Sequence, residues 1–145
     1  MNKLNKTAAR ILDTLCEGIE GPGDHKKVDN SEGTFMAVHV ECIGQTDADN
    51  LMISVAHYFK QNGDMCKDPD MVFLKGTPVM DGEPSYYYPM TFQQDLPPVY
   101  QEAMRVEGQR ILVAPRLQRD LVSFANGWMK NIKGQQGLKV SRRAA

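Results

Sequence analysis

The apolar positions of the first twenty residues recur at helical spacing. Leu4, Ala8, Ile11, Leu12, Leu15 and Ile19 fall three or four residues apart, which puts them on one face of a helix over residues 4–19. Asn5 or Thr7 offers an oxygen suited to capping its start, and Gly21-Pro22-Gly23 halts it. The polar stretch GDHKKVDNSEG that follows reads as a loop.

From Thr34 the period changes to two. Met36, Val38, Val40 and Cys42 point one way and Phe35, Ala37, His39 and Glu41 the other, the signature of a half-buried strand. A second strand spans about Leu51 to Lys60, with Leu51, Ile53, Val55, His57 and Phe59 on one face. Asn62-Gly63 is the strongest hairpin signal, because both residues tolerate the positive φ of a type I′ turn. The third strand, Met65 to Lys75, contains Pro69. A proline donates nothing to the ladder, so this strand is expected at an edge or with a bulge. SYYYPMTF forms a fourth strand in which Tyr86, Tyr88, Met90 and Phe92 alternate. Val99 to Val106 fits a fifth strand or a short helix, the strand slightly better.

The last element is a long helix. Pro115 suits its first turn, and Leu117, Leu121, Phe124, Ala125, Trp128, Met129 and Ile132 form one apolar stripe, with Gly134 as the stop. Two amphipathic helices need a sheet face to bury against. The expected fold is therefore α+β: a mostly antiparallel sheet of four to five strands packed with an N-terminal and a C-terminal helix. Residues 1–138 form this domain, and 139–145 form a flexible basic tail.

Composition narrows the class. The chain has 145 residues, 41% hydrophobic and 24% charged, as in ordinary globular domains. Its apolar runs are far too short for a membrane span, and the N-terminus has no signal-peptide core before Asp13. The three cysteines, Cys16, Cys42 and Cys66, are scattered and odd in number, which fits a reducing cytoplasm. The net charge of −1 hides a division: residues 41–107 carry four basic and eleven acidic residues, and 108–145 carry eight basic and one acidic. A positive helix lying on a negative sheet accounts for such a division without any ligand.

The densest polar chemistry lies in HYFKQNGDMCKDPDMVF, from His57 to Phe73. In a regular strand Asp64, Cys66, Asp68 and Asp70 share a face, and carboxylates so placed suit a hard cation. A calcium loop needs a glycine and a terminal glutamate that are missing here, and a nuclease pattern fails because Phe73 stands where a second acid is required. His39 and His57 fall on successive strands, but the HxE of His39 to Glu41 lacks the PCxxC of zinc deaminases. No GxSxG elbow and no phosphate loop occurs. Charges and a proline also protect a sheet edge from pairing, so the aspartates read best as a solvated edge. No metal, cofactor or catalytic residue is assigned. Arg116, Arg119, Lys130, Lys133 and the tail residues Lys139, Arg142 and Arg143 give the final helix a basic side that could meet nucleic acid.

Four segments together resemble a known family: His57 to Met71, Pro89 to Asp95, Val99 to Ala103 and Leu117 to Gly137. It is a family of uncharacterised bacterial domains of unknown function, found in plasmids, conjugative elements and prophages. The resemblance spans most of residues 8–138. It implies a mobile-element context and a cytoplasmic setting, and it supplies no catalytic residue. The expected function is that of a small non-enzymatic accessory protein that binds a host or element-encoded protein, with a host defence component as a target. The expected surfaces are the hairpin edge (Asp64, Asp68, Asp70) or the basic helix and tail (Lys130, Lys133, Arg142, Arg143). The alternatives are a nucleic-acid-binding module built on that helix and a metal-dependent enzyme at the Asp/His hairpin.

Overall fold

Asn5 opens the first helix, α1 (Lys6–Leu15), by accepting the backbone N–H of Ala8 on its side-chain oxygen at 2.8 Å. The structure is a computed structural model and describes residues 1–140; Arg142 and Arg143 lie outside the described residues. The helix is shorter than its apolar pattern and is capped at Cys16. Leu4 and Ile19 still reach the core from the flanking turns, Leu4 because its N–H donates to the Tyr87 carbonyl at 2.9 Å.

Eight strands follow: β1 (His25–Val28), β2 (Val38–Gln45), β3 (Leu51–Gln61), β4 (Asp64–Gly76), β5 (Tyr86–Gln94), β6 (Val99–Glu102), β7 (Met104–Glu107) and β8 (Arg110–Val113). The first six form one antiparallel sheet in sequence order, and β7–β8 form a separate hairpin. The sheet is therefore wider than the four to five strands expected. The added edge is β1, from a segment whose composition reads as loop; its pairing with β2, not its own residues, makes it a strand. Residues 99–106 are two strands, divided at Ala103, whose N–H donates to the Met90 carbonyl as the chain leaves the main sheet. β2 begins at Val38 rather than Thr34, leaving Phe35 and Met36 exposed in the loop before it.

Asn62 and Gly63 both take positive φ between β3 and β4, as the hairpin signal requires. β4 lies in the middle of the sheet rather than at an edge. Pro69 is accommodated by a bulge: Ala56 pairs with Asp70 and Tyr58 with Lys67, so Asp68 and Pro69 together oppose His57. Two more bulges, at Ile43 in β2 and Met90 in β5, each insert one residue. The second shifts the alternation of β5, so Tyr87 and Phe92 join the main core while Tyr88 and Met90 face the other way.

The second helix, α2 (Pro115–Gln136), starts at the expected proline and runs through Gly134 to a left-handed Gly137 cap. It packs beside α1 on one face of the sheet. Between them lie Val38, Val40, Ile53, Val55, Met71 and Phe73, all without exposed surface. Two buried glutamines of α2 fasten the surrounding chain. Gln118 donates from Nε2 to the Pro89 carbonyl at 3.1 Å and accepts the Asn2 N–H at 2.7 Å. Gln136 accepts the Asn30 N–H at 2.6 Å and donates to the Met36 carbonyl at 3.1 Å. No helix among the described residues is long and apolar enough to cross a membrane.

Candidate functional site

The helices cover one face of the sheet. The opposite face is covered only at one end, where β7–β8 packs Met104 and Val106 against Leu74, Met90 and Val72 in a second, small core. The rest of that face is an open groove of about 580 Å³ spanning β2 to β6, with β7 as one wall.

Register dictates what lines it. The pairings Glu41–Ser54, Ser54–Val72, Val72–Thr91 and Thr91–Glu102 make one row of side chains across five strands. A second row runs His39, Ala56, Asp70, Gln93 and Tyr100. The bulge at Pro69 is what turns Asp70 into this row, since it reverses the facing of the strand that follows it.

The polar floor is internally satisfied. Ser54 Oγ donates to Asp70 Oδ1 at 2.8 Å, and Lys67 Nζ lies 3.5 Å from Asp70 Oδ2 and 3.2 Å from Gln93 Oε1. Lys67 is fixed in turn by a backbone exchange with Asp95, whose carboxylate accepts the Lys67 N–H at 2.8 Å. Tyr58 stands beside this network, with the His39 ring edge-on at 4.9 Å. Burial first, then the carboxylates of Asp70 and Glu41, raise the Tyr58 phenol above its usual range, while burial and Lys27 lower the His39 imidazole. The apolar part is Met52, Val72 and Met90 below, with Ile43 and Tyr100 at the rim, 51% and 62% exposed. Gly44 leaves the space that the Met52 methyl occupies, since a Cβ there would lie 2.5 Å from it.

The sequence-predicted residues do not assemble into one site. Asp64 is exposed at the hairpin tip, Asp68 is half-buried in the bulge, and Asp70 lies in the groove. Asp70 therefore faces away from Asp64 and Cys66 and does not share a side with them, as a regular strand would require. His39 and His57 also lie on opposite faces: His57 is buried on the helix side against Trp128, and its Nδ1 sits 3.0 Å from the Ala37 carbonyl. Among the described residues no three His, Cys, Asp or Glu side chains gather as metal ligands would. Lys130 and Lys133 are exposed on α2, in the other layer of the molecule from the groove. Lys133 borders a shallow cavity with Thr7 and Arg10.

Sequence reasoning missed Tyr58, Lys67, Gln93 and Tyr100. A signal for the groove did exist: the positions alternating with the buried face, Ile43, Met52 and Val72 among them, are more apolar than a solvated sheet face needs to be.

Buried chemistry elsewhere is structural. The Tyr87 hydroxyl donates to Asp13 in the main core, and Cys16 beside it is pushed up to about 11 by burial. A thiol so placed is protonated and unreactive at neutral pH.

No curated protein and no solved structure matches the chain. One family profile does, over residues 6–138, so the chain belongs to the family described as Domain of unknown function (DUF6908).

Proposed function

We propose that this protein works by binding another protein through the open groove of its sheet, and that it is not an enzyme. The observation that carries this reading is the exposure of Ile43 and Tyr100 at the rim of a methionine-containing groove on an uncovered sheet face. Exposed apolar and aromatic side chains around a polar network are the composition of an interface, and unbranched methionines adapt to a partner's shape. The ionisable groups of the floor support binding over catalysis, because Asp70 and Lys67 are spent on each other and on Ser54 and Gln93. In its cellular setting we read the chain as a small accessory protein of a bacterial mobile element or phage, with a host protein, such as a defence component, as its partner. That setting rests on the family resemblance and not on any residue of the groove.

The test is capture from a bacterial lysate with tagged full-length chain, with and without nuclease. The expected result is a stoichiometric protein that survives nuclease, is lost with Ile43→Asp or Tyr100→Asp, and is kept with Lys130→Glu. If nuclease removes all bound material and Lys130→Glu abolishes capture, the chain is a nucleic-acid module instead.

A further inference from the structure

The row that crosses the groove has an acid at each end. Glu41 on β2 and Glu102 on β6 are separated by Ser54, Val72 and Thr91, one residue from each intervening strand. Four strand spacings separate the two carboxylates, roughly 19 Å at the usual interval, which is the reach of about six residues of extended chain.

The cations of the groove neutralise these ends only in part. Lys67 is held by Asp70 and Gln93. Arg105 pairs closely with Glu107, 2.9 Å from its Nε, and more distantly with Glu102, 3.9 Å from its Nη1, so Glu102 stays open to a second cation. Glu41 is exposed and makes no ion pair among the described residues. The surrounding segment, 41–107, carries eleven acids against four bases, and the open face belongs to it. Burial first, and then the carboxylates of Asp70 and Glu41, raise the Tyr58 phenol, so both acids lie close enough to act on the groove wall. Tyr58 and Tyr100 add ring faces on which a cation can rest.

We propose that the groove takes an extended protein segment lying across the strands, with arginine or lysine side chains about six residues apart that meet Glu41 and Glu102. Between its ends, the segment's small or apolar side chains lie over Ser54, Val72 and Thr91. This inference rests on the groove being the binding surface and adds the chemistry of its partner.

The test is a titration of isotope-labelled full-length protein with short capped peptides, followed through backbone amide shifts. One peptide carries two arginines six residues apart, and matched peptides carry glutamine or glutamate there, or arginines only two apart. The wide arginine peptide is expected to move the Val72 and Thr91 amides and to bind about tenfold more tightly than the glutamine peptide. Glu41→Gln and Glu102→Gln, both at exposed positions, are each expected to weaken it by about threefold, with further loss in added salt. Equal shifts from the glutamine or glutamate peptide overturn the assignment of a basic segment while leaving the groove as a binding surface. Equal binding of the closely spaced arginines overturns the spanning geometry. If no peptide moves these amides, the assignment falls, and the groove falls with it only if Tyr100→Asp also leaves lysate capture intact.

Discussion

The imidazole of His57 meets the indole of Trp128 nearly edge to face, with ring centroids 5.5 Å apart. The contact joins β3 to α2, and His57 Nδ1, facing the Ala37 carbonyl at 3.0 Å, must carry the proton and donate. Phe124 continues the stack, 5.9 Å from Trp128 and 5.3 Å from Phe92. Trp128→Ala opens the centre of this contact, and the expected cost is about 3–5 kcal/mol in urea unfolding. A loss below about 1 kcal/mol would mean that the helix does not rest on the sheet through this residue.

Asp68 and Asp70 are two residues apart and should behave differently. Asp70 accepts from Ser54 and pairs with Lys67, so Asp70→Ala leaves partly buried polar groups unpaired and is expected to cost about 1–3 kcal/mol. The Asp68 side chain has no hydrogen bond or ion pair among the described residues, and Asp68→Ala is expected to cost under about 1 kcal/mol. Chemical denaturation of both variants checks the order. The reverse order would place the Pro69 bulge in the wrong register.

The contrast between these aspartates shows how far the sequence reaches. Local signals were legible: the Asn5 cap, the Asn62-Gly63 turn, the Pro115 start and the alternation of Val38, Val40 and Cys42 all depend on neighbours a few residues away. The strand at His25–Val28 was not legible, because its pattern is polar and only β2 beside it provides a ladder. Nor was the central place of β4, since a proline reads as an edge until a bulge excuses it. The groove depends on three bulges at once: each reverses the facing of later residues, so the rows through Ser54 and Asp70 exist only after five strands are paired.

Alkaline pH should destabilise the core. Cys16 sits beside the buried Tyr87, and burial raises the thiol from 9.0 to about 11 and the phenol well above 10.0. Both groups hold their protons more tightly in the folded chain than in the unfolded one. Their contribution is therefore complete below pH 9 and is lost as pH rises from about 9 to about 11 and beyond. Unfolding free energy should fall over that interval, by roughly 3 kcal/mol for the thiol alone at full titration. Cys16→Ala should flatten the early part of the fall. A thiol reagent at neutral pH should modify half-buried Cys66 well before Cys16.

Gln136 does for one loop what a strand pairing does elsewhere. Its side chain accepts the Asn30 N–H and donates to the Met36 carbonyl, and its own carbonyl accepts from Asn30 Nδ2 at 3.2 Å. These bonds close residues 30–36 onto the end of α2, next to the Ala37 carbonyl that His57 uses. Gln136→Ala removes both side-chain bonds, which are partly buried, and leaves the Asn30 N–H and the Met36 carbonyl without these partners, an expected cost of about 1–3 kcal/mol. The readout that separates this clamp from general stability is amide hydrogen exchange. Protection of Asn30 should drop in Gln136→Ala while that of Val55, deep in β3, falls only by the global loss. Gln118→Ala, at the other end of the helix, should leave Asn30 protected to the same degree as Val55. A uniform loss of protection in both variants would mean that the loop is held by the sheet and not by the glutamine.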